Sequence, residues 1–228
     1  MTDTILSLKD VKVTLQASSG PVEILRGIDL EAQAGKALGI VGPSGSGKTT
    51  LLMVLAGLEN INSGEINVAG HDLTKLNENQ LAEFRRDNVG IIFQSFHLIP
   101  AMTALENVAV PLEFKGTKDA EKIAEQALTR VGLGHRLTHY PAQLSGGEQQ
   151  RVAIARAVAA GAKIILADEP TGNLDTETGD NIIKLLFDMQ RETGTTLFLV
   201  THDMSLAQKC DMVCEVRDGK IKHLNASS

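Results

Sequence analysis

Residues 37–50 read Ala-Leu-Gly-Ile-Val-Gly-Pro-Ser-Gly-Ser-Gly-Lys-Thr-Thr, and this stretch decides the fold. Ala37–Val41 is a short apolar run of strand character. Gly42-Pro43-Ser44-Gly45-Ser46-Gly47-Lys48-Thr49 then fits the pattern G-x-x-x-x-G-K-[ST]. Thr49–Leu58 reads as a helix, so the loop joins a strand to a helix, as a phosphate cradle requires. Its glycines permit a tight turn in which successive backbone N–H groups point at phosphate oxygens, and the helix adds its N-terminal dipole. Lys48 would reach the β- and γ-phosphates, and the Thr49 hydroxyl would ligate Mg2+. Thr50 is counted with the nucleotide-binding residues.

Outward from this centre, strand and helix patterns alternate. Ile5–Thr14 and Val22–Ala32 read as strands ahead of the loop, and Gly64–Val68 and Val89–Phe93 as strands after it. Ala104–Phe114, Asp119–Val131 and Ser145–Ala160 read as helices. In the second, Ala120, Ile123, Ala124, Ala127, Leu128 and Val131 make one apolar stripe at helical spacing. Ile164–Ala167, Glu177–Arg191 and Thr196–Val200 then resume the alternation. The pattern predicts an α/β protein with a mainly parallel sheet, interrupted by a helical insertion over residues 95–160.

Composition narrows the function. The 228 residues hold 22 Lys plus Arg against 28 Asp plus Glu, a net charge of −6, and only 3% are aromatic. Bulk charge therefore does not favour nucleic acid, and stacking platforms for single strands are lacking. The longest relevant stretch without Asp, Glu, Lys or Arg, Val89–Leu105, carries Gln94, Ser95, His97 and Pro100, so it is not read as a membrane span. The N-terminal Met1–Asp10 has no basic flank before a long apolar stretch and is not read as a signal peptide. Cys210 and Cys214 are too few for a disulfide framework and read as buried thiols. His135 and His139, flanked by Gly134 and Pro141, read as surface loop residues.

A second chemical cluster lies far along the chain. Lys163-Ile164-Ile165-Leu166-Ala167-Asp168-Glu169 is a buried-type strand ending in two acids. Parallel α/β sheets bind ligands at the carboxyl ends of their strands. Asp168 is placed to hold Mg2+, directly or through water. On an extended chain Glu169 would face the other way, where it can polarise the water that attacks the γ-phosphate.

Leu144-Ser145-Gly146-Gly147-Glu148-Gln149-Gln150 resembles the signature of ABC-type ATPases. The family's other marks follow in order: Gln94 matches the Q-loop, Asn173-Leu174-Asp175 the D-loop, and His202 the switch histidine. Phe93–Pro100, Leu105-Glu106-Asn107-Val108 and Asp168–Asp175 resemble the MacB/LolD branch, and within it the YbbA group. The resemblance covers essentially the whole chain. It implies a RecA-like P-loop NTPase core over 1–94 and 161–228, with an N-terminal antiparallel β part, and a helical subdomain over 95–160 carrying the signature.

The resemblance also implies a mechanism. Two copies sandwich ATP and Mg2+, each site borrowing Ser145, Gly146, Gly147 and Glu148 from the other copy. Glu169 is the base, His202 senses the γ-phosphate, and Gln94 joins Thr49 and Asp168 around the metal. Phe96, Leu98 and Ile99 would receive a cytoplasmic helix of a separate integral-membrane permease with a large extracytoplasmic domain. The chain would work at the cytoplasmic face of the bacterial inner membrane, driving export or extraction of a lipid, lipoprotein or drug. One rival is regulation of an extracytoplasmic enzyme through a permease without transport. The other is a non-transport ABC ATPase, against which stand the single cassette and the lack of sustained heptads. One departure is Leu15, which stands where the family commonly stacks an aromatic ring on adenine.

Overall fold

The computed structural model describes residues 3–18 and 20–224, so Met1 and Thr2 of the N-terminal stretch lie outside the described residues. Along the chain come β1 (Thr4–Ala17), β2 (Gly20–Gln33), β3 (Ala37–Val41), α1 (Lys48–Leu55), β4 (Ser63–Val68), β5 (His71–Asp72), α2 (Glu78–Asn88) and β6 (Val89–Phe93). They are followed by α3 (Ala104–Phe114), α4 (Ala120–Arg130), α5 (Gly146–Ala159), β7 (Ile164–Asp168), α6 (Thr176–Thr193), β8 (Thr196–Val200), α7 (Met204–Ala207), β9 (Met212–Arg217) and β10 (Lys220–Leu224). The chain divides into two compact units: residues up to 85 together with those from 194 onward, and residues 86–193. The segment 95–160 lies within the second.

In the first unit, an antiparallel sheet has the order β2-β1-β4-β5. Alternation in β2 buries Ile28, Leu30 and Ala32, and a register shift that skips Gly27 puts Leu25 in the core as well. In β1 the buried set is Leu6 and Leu8, then Val11 and Val13. The phase changes because the β1–β2 register slips between Leu8 and Val11, where Asp10 takes φ +46°. Asp29 Oδ1 accepts from the Asp10 N–H at the slip.

The same unit holds the parallel neighbours of the phosphate loop. β3 pairs parallel with β8 on one side and β9 on the other, and β10 returns antiparallel to β9. Both β3 and β8 are buried at every position, as strands covered on two faces must be. Each large aliphatic side chain so buried contributes about 1.5–3 kcal/mol. Gly39 permits close cover, since a Cβ there would lie 3.0 Å from the Ala207 carbonyl of α7. Cys210 and Cys214 are both buried, and burial pushes each thiol up to about 12, so both stay protonated at neutral pH.

In the second unit β6 and β7 pair parallel, and α5 packs on β6, α3, α4 and α6. Gly90 sets that approach: a Cβ would lie 2.5 Å from the Ala157 carbonyl. α3 and α5 start with matching capping boxes, Thr103 with Glu106 and Ser145 with Glu148. No helix among the described residues is long and apolar enough to cross a membrane.

Candidate functional site

The phosphate loop is built by backbone constraints. Gly42, Gly45 and Gly47 have φ of +150°, +75° and +105°. At Gly42 no other residue fits, because a Cβ would sit 2.1 Å from the Val216 carbonyl of β9. At Gly47 a Cβ would lie 3.0 Å from the Leu25 side chain, so β2 lies closely against the loop. Lys48 Nζ donates back to the carbonyls of Gly42 at 2.9 Å and Pro43 at 2.8 Å, spanning its own loop.

This loop suits a polyphosphate. α1 follows an N-cap, Gly47, that offers no side-chain hydrogen bond, and its first turn holds no acid. α3 and α5 instead fill their first turns with their own Glu106 and Glu148. A helix start without a carboxylate leaves its dipole to an external anion. Ser46 Oγ is buried without a hydrogen-bond partner, an orphan that an added oxygen would satisfy. Pro43, Ser44, Gly45 and Thr49 are exposed, and Thr50 is half-buried.

His202 joins this loop through the sheet. Ile40 of β3 pairs with Val200 of β8, and the Thr201 N–H donates to the Ile40 carbonyl at 3.1 Å. The two strands therefore release the phosphate loop and His202 at the same edge. Thr201 Oγ1 accepts from the Asp203 N–H, and Asp203 caps α7 through the Ser205 N–H. The Ser205 hydroxyl holds the Asp203 carboxyl below its ordinary value.

The second unit repeats the arrangement with other chemistry. Phe93 of β6 pairs with Asp168 of β7, so Gln94 and the Asp168–Glu169 pair leave at a common edge. Here the sequence reading needs a correction. The strand ends at Asp168, and Glu169 turns away at φ +47° instead of continuing the pleat. A left-handed backbone, and not strand alternation, sets the direction of this carboxylate.

The turn after Glu169 is tightly organised. The Gly172 N–H donates to the Glu169 carbonyl at 3.0 Å. Asn173 exchanges hydrogen bonds with Gln94. Asp175 Oδ1 accepts from the Thr178 N–H at 3.0 Å, which caps α6 and holds the Asp175 carboxyl low. The signature glycines pack on this region: a Cβ on Gly146 would lie 3.2 Å from Leu174, and one on Gly147 2.5 Å from Thr178. Ser145 Oγ accepts from the Glu148 N–H at 3.3 Å, and Glu148 Oε2 accepts from the Ser145 N–H at 2.8 Å. That backbone donor holds the Glu148 carboxyl down, with Arg136 adding to the effect.

Two partners escaped the sequence reading. Arg156 of α5 donates to the carbonyls of His97 at 2.7 Å and Phe96 at 2.9 Å, both left-handed, at φ +47° and +60°. Its one available signal was a lone cation inside the apolar run Val152–Val158. Asn173 offered no signal beyond its place in the D-loop text.

A family model described as ABC transporter matches residues 25–172. The chain belongs to this family. The ABC transporter ATP-binding protein YbbA of Escherichia coli (strain K12) is 46% identical over 96% of this chain and 97% of its own length. The lipoprotein-releasing system ATP-binding protein LolD of Idiomarina loihiensis is 45% identical, with 96% and 97% covered. The macrolide export ATP-binding/permease protein MacB of Shigella flexneri is 45% identical over 95% of this chain, which spans 34% of that longer protein. A dimeric ABC cassette solved in a post-hydrolysis state with ADP and phosphate superposes with a TM-score of 0.90. It is 38% identical and covers 98% of this chain and 99% of its own. This ABC chain is thus an ATPase of the transporter ATP-binding family, with the mixed α/β cassette fold that its sequence implies.

Proposed function

We propose that this ABC ATPase drives export or extraction of an amphiphilic or hydrophobic substrate, a lipid, lipoprotein or drug, through a separate membrane permease. Two copies close on ATP, and the permease carries a large extracytoplasmic domain. The work is done at the cytoplasmic face of the bacterial inner membrane. The observation that carries the ATP reading is the uncapped, acid-free start of α1 above the buried orphan Ser46 Oγ. The likeness to LolD and MacB supports the substrate class.

The roles of the residues follow the chemistry of each group. Gly42–Gly47, Lys48 and Thr50 hold the phosphates. Thr49, Asp168 and Gln94 supply the hard oxygen donors that Mg2+ prefers. Bound Mg2+ would neutralise charge on the β- and γ-phosphates. Glu169 orients and deprotonates water, and His202 donates toward the γ-phosphate. Ser145, Gly146, Gly147 and Glu148 serve the partner copy, and Asp175 belongs to the facing turn. Residues 95–160 form the helical subdomain that meets the permease.

The docking segment gives the test. Ile99 is 39% exposed, while Phe96 is half-buried with its ring facing Gly146. Leu98→Asp should lower co-purification of the permease from detergent-solubilised membranes while ATP binding persists. Undiminished recovery of the permease would contradict docking at this segment. Recovery of the chain alone, or with ribosomes, would contradict the transporter reading.

A further inference from the structure

Gln94 and Asn173 hold each other in both directions. Gln94 Nε2 donates to Asn173 Oδ1 at 3.1 Å, and Asn173 Nδ2 donates to the Gln94 backbone carbonyl at 3.0 Å. Gly172 makes room for this pairing. A Cβ there would lie 2.7 Å from Gln94 Nε2 and 2.9 Å from its Cδ, so the amide rests directly on the backbone of the turn. The turn itself leads into both other functional segments of this unit. Leu174 meets the Gly146 position, and Asp175 caps α6.

We propose that Asn173 is a positioning residue that parks the Gln94 side chain on the Gly172 turn, so that metal ligation by Gln94 and loss of its side-chain hold on that turn are one coupled event. The inference rests on the reading of Gln94 as an Mg2+ ligand. A hard cation takes an amide through its oxygen. In the ligating state the side chain swings to present Oε1 along a new direction, and the bond from Nε2 to Asn173 breaks. The Asn173 side chain then keeps only its bond to the Gln94 backbone carbonyl, and the turn against which the signature glycines pack loses one of its ties. Ligation would thereby be felt at Ser145–Glu148 with no contact between metal and signature. The parked state also competes with the metal: whatever holds Gln94 to Asn173 is subtracted from the apparent affinity for Mg2+.

This competition gives a sign that a purely structural role would not produce. Asn173 and Gln94 are exposed, so substitutions at 173 leave the core intact. In a Glu169→Gln background, which stops turnover, the Mg2+ concentration needed for half-maximal ATP-driven dimerisation is read by light scattering. Asn173→Ala should lower that midpoint about three- to tenfold, the usual net worth of one hydrogen bond. Gly172→Ala, whose methyl would push the amide off the turn, should shift it the same way, and it decides the matter if Asn173→Ala fails to fold. An unchanged or raised midpoint overturns the proposal. Gln94→Ala separates the two levels. If it leaves the midpoint where it was, Gln94 is not a metal ligand and both readings fall. If it raises the midpoint while Asn173→Ala does not lower it, only the parking is lost.

Discussion

Glu169, proposed above to activate water, has a strained backbone. A non-glycine residue in the left-handed region costs about 1–2 kcal/mol. At φ +47° that cost is borne at the residue assigned to activate water. Comparison of Glu169→Gly with Glu169→Ala isolates it, because both lose the carboxylate. The glycine variant should be about 1 kcal/mol more stable to denaturant than the alanine variant, with both inactive in hydrolysis. Equal stabilities would remove the strain from the account. Leu15 is the other informative position. It is half-buried and pairs with Val22, which is 40% exposed, whereas Val13 is fully buried and has no face to offer a base. An aromatic ring contributes about 0.5–1.5 kcal/mol beyond area burial. Leu15→Tyr should therefore tighten ATP binding roughly two- to tenfold in a nucleotide titration, with little change in turnover at saturating ATP. Unaltered affinity, together with strong preference of the wild type for ATP over GTP, would contradict it.

At the scale of elements, two helices start alike and should answer mutation differently. Thr103 and Ser145 each close a capping box, and loss of a cap hydroxyl costs about 1 kcal/mol. Thr103→Ala and Ser145→Ala should thus lose similar stability in urea melts. Only Ser145→Ala should also weaken ATP-driven association, since α5 alone carries the signature. The Glu148 carboxylate in the second box titrates below its ordinary value, so its contribution is complete above the unfolded glutamate pKa. That contribution is lost as pH falls through the depressed folded value. The three helices of the central segment were legible because their periodicity is local: Ala104–Phe114 agrees at both ends, and Ser145–Ala160 exceeds α5 by one residue at each end. α2 was not recognised. Its sequence, Glu-Asn-Gln-Leu-Ala-Glu-Phe-Arg-Arg-Asp-Asn, offers only Leu81 and Phe84 as large buried side chains, too short a stripe to declare a face. The slip at Asp10 and the turn at Glu169 were equally invisible, because left-handed backbone at a non-glycine residue leaves no compositional mark.

At the scale of the molecule, each unit collects its proposed functional groups at the carboxyl ends of parallel strands. The phosphate loop and His202 share one edge through the β3–β8 pair, and Gln94 and Asp168 share another through the β6–β7 pair. Sequence motifs single these residues out, and the strand pairings show which of them leave the sheet together. The pairings with Asn173 and Arg156 join segments 79 and up to 60 residues apart, and no local pattern encodes such partners. The central claim is that ATP is clamped between two copies of this chain, with Glu169 ending the clamp by hydrolysis. Light scattering of Glu169→Gln with and without ATP and Mg2+ tests it most directly. Replacing a general base typically costs ~10²–10⁴-fold in rate, so the nucleotide should remain intact through the measurement. The account predicts that the 24.4 kDa chain doubles in mass when ATP and Mg2+ are added. A variant that binds ATP yet keeps the mass of one chain would contradict it.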